Sequence, residues 1–199
     1  MRIGVFGGTF DPPHHGHLVV AADVHAALEL DRVVLVPSAA PPHKLDTVQA
    51  PAETRLEMVR AAVRGDDRFE VDDLELRRPG PSYTVDTLRA LRDRCPGAEL
   101  FFVVGADNVP ELGSWREPEE VVRLARIVAV ARGCENIDAD APFPLLSVPV
   151  TRVEISATDV RRRVAEGRSI RYLVPDAVCA IVAREGLYRD PVHSGKNPC

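Results

Sequence analysis

A chain of 199 residues can form one substantial α/β domain with a small appendage, and it is too short for two large domains. Apolar residues make up 45% and charged residues 28%, ordinary globular usage that excludes a disordered or fibrous chain. A formal charge of −5 argues against a protein whose overall field coats nucleic acid or an anionic membrane, so neither is expected as a partner.

RIGVF (2–6) is the first of six short runs rich in Val, Ile and Phe. RVVLVP (32–37), RFEV (68–71), ELFFVV (99–104), RIVAVA (126–131) and LLSVPV (145–150) follow, and all read as strands buried on both faces. Stretches of helical period separate them. Leu18, Val20, Ala21, Val24, Ala27 and Leu28 form one apolar face; Leu56, Val59 and Val63 form a second; Val85, Leu88, Leu91 and Cys95 form a third. Gly65 stops the second helix and Pro96-Gly97 the third. Strands alternating with crossover helices predict an α/β fold, a doubly wound Rossmann-like parallel sheet. Two later helices form a small C-terminal helical part. One is capped at Ser156-Ala157-Thr158-Asp159 and stopped at Gly167, and the other runs over 176–185 behind Pro175.

Residues 1–190 are expected to form one domain, with PVHSGKNPC (191–199) as a flexible tail. The segments 37–50 and 132–144 are the longest without period, and loops of that kind are often functional. Cys95, Cys134, Cys179 and Cys199 form no C-x-x-C pair and read as free thiols. Unpaired thiols, the lack of a signal-peptide apolar run and the lack of about eighteen consecutive apolar residues together predict a cytoplasmic protein.

The chemistry concentrates in GGTFDPPHHGH (7–17). Gly7-Gly8 closes the first strand, where a missing Cβ lets backbone amides approach a ligand at the strand's C-terminal end. The next helix should begin near His15 or Gly16, with His17 in its first turn and His14 just outside. Unpaired N–H groups and the helix dipole favour an anion there, and imidazole N–H groups and the Thr9 hydroxyl are further donors. His14 and His17 could instead bind a metal at i, i+3, but no third ligand is evident; the spacing matches neither G-x-G-x-x-G nor the P-loop. His15 reads as solvent-facing or structural, and His25 as half-buried on the apolar face.

A second anion site is suggested by ISATDVRRR (155–163), a helix start capped by hydroxyls with arginine on the first turn. Arg162 and Arg163 read as a solvated face, while Arg161 can point at the site.

Taken whole, GGTFDPPHHGH resembles the nucleotidyltransferase form of the H-x-G-H signature, carried by His14, Gly16 and His17. ISATDVR resembles the I-S-S-T-x-I-R signature of the same superfamily, with Ala157 in place of a serine and Val160 in place of an isoleucine. Three further segments are similar to bacterial nicotinate-nucleotide adenylyltransferases: PPHK (41–44), PSYTVDTL (81–88) and GADNVPELGSW (105–115). The resemblance spans most of the chain.

By that resemblance the substrates are ATP and nicotinate mononucleotide. His14, His17, Lys44 and Arg161 are the implied catalytic groups. Gly7, Gly8, Thr9, Phe10, Gly16, His17, Gly105, Asp107, Ile155, Ser156, Thr158 and Arg161 are implied at ATP. The implied mononucleotide contacts are His43, Lys44, Thr84, Trp115 and Arg132. Mg²⁺ is expected bound with the triphosphate or pyrophosphate, with no metal ligands from the protein. Arg116 stands where the family has Tyr after the Trp, and Gly133 where it often has Pro after the Arg. A homo-oligomer is left open. So are a same-fold transferase for nicotinamide mononucleotide or phosphopantetheine, and a non-catalytic nucleotide-binding module.

Overall fold

The computed structural model describes residues 1–39, 49–131, 141–189 and 199. Six parallel strands form one sheet: β1 (Arg2–Gly8), β2 (Arg32–Pro37), β3 (Phe69–Val71), β4 (Glu99–Gly105), β5 (Arg126–Ala131) and β6 (Leu145–Pro149). Their order is β3-β2-β1-β4-β5-β6. Every pairing is parallel, as the strand–helix alternation predicts. The chain moves outward from β1 in one direction through β2 and β3, then returns to the other side of β1 with β4. In such sheets the crevice outside the strand ends at this reversal is the place for a ligand.

Helices α1 (His15–Ala27), α2 (Ala52–Ala62), α3 (Thr84–Arg94), α4 (Pro118–Leu124), α5 (Ala157–Ala165) and α6 (Asp176–Arg184) surround the sheet. Alternation along β2 shows how both faces are covered. Val33 joins Val20, Ala21 and Val24 of α1, and Leu35 joins Val59 and Val63 at α2. Val34 and Val36 point the other way, into a core with Val85, Leu88 and Leu91 of α3 and Val121 and Leu124 of α4. A separate cluster joins Met58 of α2 to Val160 and Val164 of α5 and Val178, Ile181 and Val182 of α6. That cluster mounts the C-terminal helices on the body of the fold.

Three expectations are corrected, and one segment carries elements that the sequence analysis did not read. β3 and β6 are edge strands and keep exposed positions, so burial on both faces holds only for the inner strands. Ala27 is exposed at the end of α1. The segment after β4 carries a 3-10 helix (Ala106–Ser114) and then α4; both are too short to show a readable helical period. Finally, Cys179 of α6 is disulfide-bonded to Cys199, with Cα atoms 5.7 Å apart. A separation of 20 residues carries no mark of this proximity, because α6 and the chain end meet only through tertiary packing. Cysteine usage therefore no longer argues for a reducing compartment. Cys95 is a free thiol, and Cys134 lies outside the described residues, as does the tail apart from Cys199.

Candidate active site

β1 delivers the chain to Gly8, where a Cβ would stand 3.0–3.3 Å from the Phe10 ring. Phe10 itself has φ 49°, and its ring is buried among Leu35, Val59 and Val63. That ring meets the His17 imidazole edge-on, with 5.0 Å between centroids at 72°. Phe10 is thus a buried post beneath His17.

His14 is the N-cap of α1 and His17 stands in its first turn, as the sequence predicts. The two imidazoles stack with centroids 3.7 Å apart at 24°. The His14 backbone N–H donates to His17 Nδ1 at 3.2 Å. This bond turns Nδ1 toward the His14 main chain and places Nε2 on the opposite side of the ring. Gly16 is required by the same stack, because a Cβ there would lie 3.0 Å from His14 Nδ1 and 3.1 Å from its Cε1. The His15 backbone N–H is taken by the Leu173 carbonyl at 3.0 Å, so one of the N-terminal donors of α1 serves the fold and not a ligand.

The second motif lies against the first. Ser156 caps α5, accepting from the Asp159 N–H at 3.1 Å and donating to Asp159 Oδ2 at 2.7 Å. Arg161 donates from Nη1 to the Asp11 carbonyl at 2.8 Å and from Nη2 to Thr158 Oγ1 at 3.3 Å. The Ile155 carbonyl stands only 3.5 Å from where a Gly16 Cβ would be. The turn of the paired glycines and the start of α5 therefore face one space. Arg162 and Arg163 remain outside, the former paired with Asp159 at 2.6 Å.

Across the sheet reversal, Gly105 ends β4, and a Cβ there would collide with the Asp107 carboxylate folded over it. Trp115 follows the 3-10 helix, half-buried, and meets Phe102 edge-on with centroids 5.9 Å apart. Thr84 is the first residue of α3, after Tyr83 at the N-cap. Arg116 lies over the Tyr83 ring, 4.7 Å from its centroid. His43, Lys44 and Arg132 lie outside the described residues.

Two buried residues of this neighbourhood, Asp11 and Arg55, and the half-buried Tyr188 escaped the sequence analysis. Asp11 accepts the backbone N–H groups of Gln49 (2.8 Å) and Ala50 (3.1 Å) and the Tyr188 hydroxyl (2.6 Å). Burial, then the bond to Asp11, raises the Tyr188 phenol far above the ordinary tyrosine range, so it remains a donor. Arg55 of α2 is 1% exposed and, among the described residues, donates to four main-chain carbonyls. Burial lowers its affinity for the proton, and the facing Asp11 carboxylate works in the opposite direction. Among the described residues no group of three or more His, Cys, Asp or Glu could hold a metal ion.

The cytidylyltransferase-like family model matches residues 5–163. A protein of Thermus thermophilus described as probable nicotinate-nucleotide adenylyltransferase is 51% identical over 189 residues, covering 95% of this chain and 100% of that protein. One of Rubrobacter xylanophilus with the same description is 46% identical over 201 residues, covering 95% and 92%. Among solved structures, the Plasmodium falciparum nicotinic acid mononucleotide adenylyltransferase complexed with NaAD superposes with a TM-score of 0.78 at 19% identity, over 94% of this chain and 97% of that one. With its histidine pair at the start of α1 and its arginine one turn into α5, the chain belongs to the cytidylyltransferase-like family, in the company of nicotinate-nucleotide adenylyltransferases.

Proposed function

We propose that the protein transfers the adenylyl group of ATP to nicotinate mononucleotide, giving nicotinic acid adenine dinucleotide and pyrophosphate. The observation that carries this reading is the contact between the two motifs: Arg161 binds the Asp11 carbonyl three residues before the stacked pair of His14 and His17. Relatives at 51% and 46% identity carry the matching description.

A phosphate monoester is already a nucleophile, so the reaction needs no covalent intermediate on the protein. An oxygen of the mononucleotide phosphate attacks the α-phosphorus of ATP. The bond from that phosphorus to the bridging oxygen breaks, and pyrophosphate leaves with the electron pair. The protein positions the partners and supplies donors where charge develops. His17 offers Nε2, its Nδ1 being turned to the His14 main chain. Arg161, with His14, neutralises phosphate oxygens, and Lys44 is assigned the same task.

Gly7, Gly8, Thr9 and Phe10 meet the nucleotide through the main chain, with Gly105, Asp107, Ile155, Ser156 and Thr158 around it. Thr84 and Trp115 are assigned to the nicotinate carboxylate and ring, and His43 and Arg132 to the remainder of the mononucleotide. Mg²⁺ held by triphosphate oxygens and water would neutralise charge on the leaving pyrophosphate. Substrates of this charge do not cross bilayers unaided, and no described helix is long and apolar enough to span one, which supports action in the cytoplasm.

Pyrophosphate release tests the reading, with ATP offered alongside nicotinate mononucleotide, nicotinamide mononucleotide or phosphopantetheine. The nicotinate acceptor should give the highest kcat/KM. Preference for either other acceptor would reassign the substrate, and binding of ATP without release by any of them would make the protein a nucleotide-binding module.

A further inference from the structure

We propose that Arg55, which the fold hides from both substrates, is a positioning residue that fixes the spacing between the ATP side and the mononucleotide side of the site. This inference rests on the adenylyl-transfer reading above. Arg55 Nη1 donates to two carbonyls at once, those of Thr9 and Ser38, each at 2.7 Å. Thr9 is the first residue past β1, and Ser38 the first past β2. One nitrogen thus binds the outgoing turns of two adjacent strands.

A peptide group is planar and trans, so a carbonyl drawn inward sends the N–H of the next residue outward. The Ser38 carbonyl points to Arg55, and the Ala39 N–H accordingly points away, donating to Ser82 Oγ at 3.1 Å. Ser82 lies two residues before α3, whose first residue is Thr84, and Thr87 of the same helix donates to the buried Glu75 carboxylate at 2.5 Å. Arg55 Nη2 holds the Ala39 carbonyl as well, at 3.2 Å.

A second chain of bonds leaves Arg55 in the opposite direction. Nε donates to the Ala50 carbonyl at 3.2 Å, the Ala50 N–H donates to Asp11 Oδ1, and the Asp11 carbonyl receives Arg161. Four of the five guanidinium N–H groups are therefore committed to main-chain oxygens. The planar fork of arginine suits this task; a lysine has three donors on one nitrogen and cannot reach four carbonyls on two turns. In-line attack depends on the distance between the α-phosphorus and the acceptor phosphate. An error of about 1 Å introduced away from the chemistry can cost about 10²-fold in rate.

The experiment compares Arg55→Lys with Leu124→Ala, which removes core volume at the end of α4 beside the start of β5 and controls for loss of stability alone. Arg55→Lys should lower kcat per folded molecule by about 30- to 100-fold, with both KM values changing less than about threefold, the pattern of lost alignment and not lost binding. In Arg55→Lys the amides of residues 8–11 and of Val36, Ser38 and Ala39 should exchange with deuterium faster, while Leu124→Ala keeps wild-type kcat and exchange there. Ser82→Ala leaves α2 intact and should lower kcat by roughly 5-fold, so the idea stays testable if Arg55→Lys fails to fold. Wild-type kcat in Arg55→Lys and Ser82→Ala, or a kcat loss in Leu124→Ala as large as in Arg55→Lys, overturns the proposal. Should the wild-type protein transfer adenylate to no acceptor, the functional reading falls, and unchanged exchange in Arg55→Lys would remove the spacing role independently.

Discussion

Arg161 reaches back across 150 residues of chain to bond the main-chain carbonyl of Asp11, and in doing so joins the two sequence motifs into one surface. The side chain is steered by that carbonyl and by Thr158, leaving its remaining donors for phosphate. Arg161→Lys keeps the charge and loses the fork. Its kcat/KM should fall about 10²- to 10³-fold while the thermal midpoint moves by only a few degrees, checked by steady-state pyrophosphate release and thermal melts.

Gly16 and His14 form a steric pair. Alanine within a helix is intrinsically better than glycine by about 1 kcal/mol, yet a Cβ at position 16 would press on the His14 ring. Gly16→Ala should fold and lose turnover by roughly 10-fold or more as the ring leaves its stack on His17, and His17→Ala should lose about 10²- to 10³-fold. Activity equal to wild type in Gly16→Ala would show that the stack is irrelevant to the chemistry.

Tyr188 anchors the C-terminal part to the first motif through Asp11 Oδ1. Tyr188→Phe removes one of the three donors seen on a buried carboxylate and should destabilise the protein by about 1–3 kcal/mol, measured by urea unfolding. No loss of stability would mean that water replaces the hydroxyl at no cost.

Glu75 makes stability depend on pH in an unusual direction. Burial raises its carboxyl above the ordinary 4.5, outweighing the bonds from Thr87 and Ser82 and the charge of Arg78. An acid raised in the folded state contributes stability that is fully present below the unfolded value and is lost as pH rises through the folded value. Glu75→Gln retains an acceptor for Thr87 and carries no charge. Its stability relative to wild type should therefore grow as pH rises from about 4.5 toward neutrality. A difference that stays flat in urea unfolding across that range would contradict the assignment.

The sheet and its crossover helices were readable because inner strands are continuous apolar runs and the helices repeat every three or four residues. His14, Gly16, His17, Ser156 and Arg161 were readable because their chemistry is local, set by a strand end and two helix starts. Arg55 was not. It lies three and four residues before Met58 and Val59, on the buried side of α2, and a charged residue beside an apolar stripe looks like the edge of a solvated face. Asp11 and Tyr188 were missed for a related reason: they are 177 residues apart, and their partnership exists only once α6 has docked. The same remoteness hid the Cys179–Cys199 bond.

The Leu173 carbonyl that caps His15 has a consequence for where this protein may be cut. The stretch matched by the family model stops at residue 163, but the helix bearing the paired histidines is completed by a main-chain oxygen ten positions later, and Asp11 by a phenol later still. The recognisable signature is therefore shorter than the unit that folds. A fragment truncated after Arg163 would present its imidazoles on an unfinished helix, and swapping C-terminal segments between homologues would alter the reaction centre from behind.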